Sequence, residues 1–273
     1  MGTPVSPSVV RDWLSENGFA LHKMQKVIAG GKSPFRNAQF ENINNFKCEY
    51  FDAGNPVFSI DTKAKEFLGK FYREGRVWTQ EAIRAFDHDF PSWASGLVIP
   101  HGIFDLARNR GHINIGLSHD TSLFACDSFR WYWNRIGQRC YPDATSILLL
   151  CDAGGSNSAN HNIFKEDLQK LVNDIGIEIR VAHYPSYCSK YNPIEHRFFP
   201  HVGRACQGKL FDTLETVVEL MRRTATKTGL AATVNVIRRA YEIGRKVAQD
   251  FKSTMTIVFD DQIPKWNYRA VPQ

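Results

Sequence analysis

The chain has 273 residues, 43% of them hydrophobic and 23% charged, which is enough to bury one sizeable core. Nineteen Phe and six Trp exclude a disordered chain, and no run of about 18 or more apolar residues offers a membrane span. The formal net charge of +6 permits a nucleic-acid partner without requiring one.

Residues 1–30 lack the basic start and apolar centre of a signal peptide, so the protein is expected to stay in the cytoplasm where it is made. The six cysteines contain no C-x-x-C pair, which argues against a zinc site and for scattered thiols in a reducing compartment.

In chain order, Ser8 to Asn17 predicts a short helix, capped by Ser8, striped by Val9, Val10, Trp13 and Leu14, and stopped at Gly18. Residues 29–37 are a polar, Gly-rich connection and predict a domain boundary. Gln39 to Phe46 predicts a second short helix. Val57 to Ile60 predicts a strand ending in Asp61, and 63–100 gives no clear pattern. Gly102 to Leu117 predicts a hairpin around Asn109-Arg110-Gly111.

Thr121 to Gly137 predicts a helix with Ala125, Phe129, Tyr132 and Ile136 on one face. Ser146 to Cys151 is apolar on both faces, as in the centre of an α/β sheet. Helix Ile163–Ile175, strand Ile177–His183, helix Pro193–Cys206 and helix Leu214–Thr226 follow. The basic C-terminal third reads as a solvated helical extension. The order predicts an α/β fold: a mixed sheet of three antiparallel strands followed by parallel α/β units, flanked by helices, which is the ribonuclease-H-like topology.

Three acids stand out against this order. Asp61 and Asp152 each end an apolar strand, where Asp is poorly suited to strand interiors and to burial without a partner. Glu195 opens a helix in Tyr191-Asn192-Pro193-Ile194-Glu195-His196. The strands ending at Asp61 and Asp152 would be neighbours, and the helix from Asn192 would cross near them. Three such carboxylates repel one another unless a cation joins them, and hard divalent cations take carboxylate oxygens. Two such ions can clamp the attacking and leaving oxygens of a phosphodiester.

Each acid also has a plain structural reading. Asp61 and Asp152 precede turn-compatible residues. Asn192 at N-cap with Glu195 at N3 matches a capping box, worth about 1 kcal/mol. Asp87, Asp89, Asp105, Asp120 and Asp127 compete for the role. Asp105 is expected to face solvent and Asp120 to cap a helix.

The runs Ser59-Ile60-Asp61-Thr62-Lys63-Ala64-Lys65-Glu66, Cys151-Asp152-Ala153-Gly154-Gly155-Ser156-Asn157 and Ser189-Lys190-Tyr191-Asn192-Pro193-Ile194-Glu195-His196-Arg197 resemble bacterial insertion-sequence transposases of the ISAzo type. That family is similar to the wider mariner-like DDE transposases. Gly102-Ile103-Phe104-Asp105-Leu106, Ser118-His119-Asp120-Thr121 and Trp266-Asn267-Tyr268 extend the resemblance, which runs from about residue 6 to the C-terminus.

The resemblance implies that Asp61, Asp152 and Glu195 form a catalytic and metal-binding DDE triad on a ribonuclease-H-like domain, holding two Mg²⁺ or Mn²⁺ ions. It implies cleavage at transposon ends and attack of the freed 3′-hydroxyl on target DNA. Lys63, Asn157, Lys190, His196 and Arg197 flank the acids and become candidate DNA contacts. The implied partners are transposon-end and target DNA and a second copy of the chain on that DNA, with no membrane, in a bacterial, nucleoid-associated setting.

Residues 1–36 are then expected to be a partial helix-turn-helix-like region and linker, and 37–273 the catalytic domain. Residues 6–28 resemble only the last part of the family's N-terminal DNA-binding region, with Val9–Leu14 in the place of a recognition helix. A helix-turn-helix needs a first helix to brace the second. Two other readings compete: a transposase-derived DNA-binding or regulatory protein without catalysis, and a structure-specific nuclease on the same fold.

Overall fold

The run Val57-Phe58-Ser59-Ile60 is buried on both faces and forms most of β1 (Val57–Thr62), the strand on which the sheet is organised. β1 is antiparallel to β3 (Gly96–Asp105) on one side and parallel to β5 (Ser146–Cys151) on the other. The computed structural model describes residues 5–22, 34–154, 162–248, 250–251 and 255–273. The chain divides into two compact units, Met1–Gly31 and Lys32–Gln273.

In the larger unit the remaining described strands are β2 (Glu66–Leu68), β4 (Arg110–Gly116), β6 (Glu178–His183), β7 (Ala231–Ile237), β8 (Ile257–Phe259) and β9 (Asn267–Ala270). The sheet order is β7-β4-β3-β1-β5-β6-β9-β8, with β2 pairing β3 off that path. The expected mixed sheet is present: β1, β3 and β4 are antiparallel, and β5 and β6 continue parallel to β1.

Helices cover both faces. One face packs Phe58, Ile60, Ile147, Leu149 and Ile179 against α3 (Ser122–Tyr132) and α5 (Asn162–Ile175) through Phe129, Leu168 and Leu171. Phe58 meets Phe129 and Tyr132 edge-on, at centroid distances of 5.5 and 5.4 Å. Such pairs add about 0.5–1.5 kcal/mol beyond the area they bury.

The other face packs Val57, Phe104, Leu148 and Leu150 against α2 (Arg36–Asp52), α6 (Pro193–Arg197), α7 (Phe199–Cys206) and α8 (Leu214–Arg222). No helix among the described residues is long and apolar enough to cross a membrane.

The smaller unit contains α1 (Pro7–Glu16). Its cap is Ser6, whose side chain accepts from Val9 N–H, rather than Ser8, because Pro7 takes the first helical position that its ring favours. None of its residues is buried, and Trp13 is exposed. Most of the predicted connection at 29–37 lies outside the described residues.

Several expected boundaries are corrected. The helix expected over 39–46 extends to Arg36–Asp52, because tertiary packing of Ile43 and Tyr50 overrides its weak amphipathic pattern. β3 begins at Gly96, before the expected hairpin, and passes through Pro100. β1 pairing ends at Thr62 opposite His101, so the missing Pro100 N–H removes no ladder bond, while its carbonyl accepts from Lys63 N–H at 2.9 Å.

The helix expected to Gly137 widens into a π-turn over Trp133–Gly137 and closes with a helical turn, α4 (Gln138–Cys140). The helix expected over 193–206 breaks at Phe198, because Pro200 has no N–H to donate to the His196 carbonyl and its ring crowds that carbonyl. α8 ends at Arg222, short of Thr226. The expected C-terminal helical extension is replaced by strands: β7 pairs parallel to β4, and β8 and β9 extend the edge beyond β6.

Candidate active site

The register of β1 and β5 brings Asp61 and Asp152 together. Ser59 pairs with Leu150, so two residues further on Asp61 lies level with Asp152. Asp61 sits inside β1 rather than at its end, opposite Gly102 on β3. Side chains alternate along a strand, so Asp61 shares a face with Ser59 and Val57, and Val57 belongs to the core beneath α6 and α7. Gly102 lets those helices approach: a Cβ there would lie 2.5 Å from Phe199 Cε1 and 2.8 Å from Ile194 Cδ1.

α6 delivers Glu195 to the same place. Its carboxyl group lies within hydrogen-bonding reach of the Asp61 carboxyl. The expected capping box is not made. Asn192 stands at the N-cap position, but its side chain forms no cap hydrogen bond. The Ile194 amide instead donates to Ser59 Oγ on β1, at 3.0 Å.

Burial pushes the Asp61 carboxyl up, to about 8, reinforced by the negative charge of Asp152 and by the hydrogen bond to Glu195; the Thr62 amide, donating at 2.8 Å, opposes this. Burial also raises Asp152, to about 6, against a hydrogen bond from Asn192 that stabilises its charged form. Among the described residues no three His, Cys, Asp or Glu side chains are already gathered as an ion cage. The donors are all carboxylate oxygens, a set suited to Mg²⁺ or Mn²⁺ rather than to softer metals.

The backbone at Asp152 is held separately. His183 Nδ1 donates to the Asp152 carbonyl at 2.9 Å, which leaves Nε2 to accept from the Tyr268 hydroxyl at 2.9 Å. Burial lowers His183 to about 4, so this ring is neutral. Gln39 Nε2 donates to the His183 carbonyl and to Asn267 Oδ1, both at 2.9 Å. Ser59, Gly102 and Tyr268 lie in runs that carry the resemblance, but nothing in the sequence alone marks them or His183 as supports of the site.

The competing acids go elsewhere. Asp105 is buried rather than facing solvent, and accepts from the Tyr141 hydroxyl at 2.8 and 2.9 Å and from the Arg108 amide at 3.0 Å. Thr121, not Asp120, caps α3; Asp120 accepts from Thr62 Oγ1 at 3.2 Å. Asp127 is bound by Arg130, Arg239 and Tyr241. Asp87 and Asp89 are exposed.

Of the expected DNA contacts, Lys63 pairs with Glu66 at 2.7 Å and is largely covered. Lys190 is exposed, with its ammonium 5.0 Å from the Tyr191 ring centre. His196 and Arg197 are exposed and line a groove of about 410 Å³ with Lys47, Phe40 and Tyr191. Asn157 lies outside the described residues.

Solved structures that share the fold include three of Mos1 transposase. A Mos1 mariner paired-end complex with Mg aligns with a TM-score of 0.53 and 16% identity, over 79% of this chain and 61% of that one. A Mos1 paired-end complex with the left transposon end gives 0.51 and 16%, over 79% and 61%. A Mos1 paired-end complex with Mn gives 0.50 and 15%, over 79% and 62%. The chain thus spans about three fifths of the length of these proteins. At such identity they establish the ribonuclease-H-like fold. No curated protein sequence matches the chain. The family model described as the Rhodopirellula transposase DDE domain matches residues 1–272, and the chain belongs to that family.

Proposed function

We propose that the chain is the catalytic part of a DDE transposase, cutting DNA at transposon ends and joining the freed 3′-hydroxyl to target DNA. The observation that carries this reading is the meeting of Asp61, Asp152 and Glu195 at one point of the sheet, with Asp61 and Asp152 both raised by burial. Keeping buried, mutually repelling carboxylates costs stability, and such groups concentrate at functional sites.

In this reading Asp61, Asp152 and Glu195 hold divalent cations, two in the simplest arrangement. When bound, the ions would activate the attacking hydroxyl and offset charge developing on the phosphate. The protein's part is to fix the three carboxylates on a rigid strand pair and a capped helix, which sets the line of attack. Asp61, whose proton burial retains near neutral pH, must release it before the carboxylate can act as a ligand.

Lys190, His196 and Arg197 would contact DNA phosphates beside the triad, with Asn157 added from the segment after Asp152. Lys63 fits such a role less well, since its ammonium is already paired with Glu66. The Mos1 structures are paired-end complexes, which supports two copies of this chain acting on paired ends. Residues 1–36 would contribute part of an end-recognising region, and 37–273 the catalysis.

Strand joining separates this reading from a nuclease and from a non-catalytic DNA-binding protein. Pre-cut, end-labelled DNA bearing the inverted repeats that flank the gene, mixed with supercoiled plasmid and Mg²⁺ or Mn²⁺, should yield label covalently joined to plasmid. Cutting without joining would replace transposase by nuclease, and DNA binding with neither activity would leave the regulatory reading.

A further inference from the structure

Asn192 stands where a helix cap is expected, yet its side chain serves a different residue. Its amide nitrogen donates to Asp152 Oδ1 at 3.0 Å, and its carbonyl oxygen accepts from Ser59 Oγ at 2.5 Å. Ser59 Oγ in turn accepts from the Ile194 amide at 3.0 Å. These directions are forced. Asp152 Oδ1 accepts, so Asn192 must turn its nitrogen there and its oxygen to Ser59; the Ile194 N–H can only donate, so Ser59 receives that hydrogen and gives its own to Asn192 Oδ1. The amide of Asn192 then has one orientation, with oxygen toward Ser59 and nitrogen toward Asp152. Ser59 and Asn192 are both fully buried, so neither has water as an alternative partner.

We propose that Ser59 and Asn192 are a positioning pair that holds the Asp152 carboxyl group in a single orientation and ties that orientation to the helix carrying Glu195. The proposal rests on reading Asp152 as a cation ligand. An amide is the suitable partner for such a ligand. It donates a hydrogen bond to the carboxylate without adding charge. A Lys would compete with the cation, and an Asp would add repulsion. The spacing is economical: β1 supplies Ser59 and Asp61 two residues apart on one strand face, and the Asn192–Glu195 segment supplies positioner and ligand three apart. Groups that orient a metal ligand typically contribute about 10- to 100-fold to metal affinity.

The test uses the full chain and Mn²⁺ alone, without DNA, following free Mn²⁺ by electron paramagnetic resonance for wild type, N192A, S59A and D152N. Melting curves without metal check folding, and DNA affinity without metal is measured beside them. N192A is expected to weaken Mn²⁺ binding about 10- to 100-fold. S59A should weaken it by a smaller factor in the same direction, with DNA affinity unchanged in both.

Wild-type Mn²⁺ affinity in folded N192A and S59A, with D152N weakened, would overturn the positioning role and leave Asp152 as a ligand. Wild-type affinity in D152N as well would overturn both. If N192A does not fold, S59A decides, because it leaves the Asn192 side chain in place and removes only its anchor and the cap of α6.

Discussion

The Ser59 hydroxyl on β1 caps, from the sheet side, the helix that carries Glu195, by accepting from the Ile194 amide at 3.0 Å. The local sequence offers Asn192 and Glu195 as a cap pair, and the fold uses neither side chain that way. Glu195 is therefore free of capping work. Glu195→Gln removes a repelling charge beside Asp61 and keeps a hydrogen-bonding group there, so it should melt no lower than wild type, while metal-dependent cleavage is lost. Thermal melts run beside a nicking assay check this; a loss of several degrees would return Glu195 to a role at the helix end.

Asp61 should make the metal-free protein less stable as pH rises. Its folded pKa of about 8 lies above its ordinary value of 3.8, so between these values the folded state holds a proton that the unfolded state has released. Stability from this group is fully present below about pH 4 and is lost as pH climbs through 8. Asp61→Asn removes the penalty and should melt higher than wild type at pH 8, by roughly 2–4 °C for each kcal/mol gained. The two proteins should converge near pH 4. A difference independent of pH would mean that the Asp61 carboxyl is not the source.

The buried histidines act in the opposite direction. Burial lowers His183 and His112 to about 4 and His101 to about 3. Below their ordinary value of 6.5 the unfolded chain takes up protons that the folded chain refuses, so stability is lost as pH falls from 6.5 toward 4. The imidazole NMR signals of His183, His112 and His101 in the folded protein should stay in the neutral form at pH 5. Tyr268→Phe should cost about 1–3 kcal/mol by leaving His183 Nε2 without a donor. A smaller loss, measured by denaturant unfolding, would show that this bond adds little.

The central sheet order and the closeness of Asp61 to Asp152 were legible because both rest on strong local patterns. Val57–Ile60 and Ser146–Cys151 are apolar on both faces, which marks central strands, and each is followed at once by an Asp. What was not legible depends on contacts far apart in sequence. Ser59 reads as an ordinary strand residue until Ile194, 135 positions away, donates to it. Asp105 reads as solvent-facing until Tyr141 covers it. β8 and β9, three and four residues long, are too short to display a period. Pro200 was visible, but the stripe of Ile194, Phe198 and Val202 continues across the break and masks it.

Gly102 permits α6 and α7 to reach the sheet beside Asp61. Gly102→Ala would place a methyl group 2.5 Å from Phe199 and 2.8 Å from Ile194. Overpacking of this kind costs about 1–3 kcal/mol. Nicking activity should fall further than stability alone explains, because displacement of α6 moves Glu195 away from Asp61. Ile194→Val, which deletes the Cδ1 atom that is met, should recover part of both losses. Unchanged activity in Gly102→Ala would mean that the helix position is not set here.

Metal-dependent nicking of DNA that carries the flanking inverted repeats, compared between wild type and Asp152→Asn, tests the assignment of the triad most directly. Wild type should nick at the repeat ends only with Mg²⁺ or Mn²⁺, and folded Asp152→Asn should bind the DNA equally and cut none of it. Nicking retained by folded Asp152→Asn would remove Asp152, and with it the three-carboxylate site, from the chemistry.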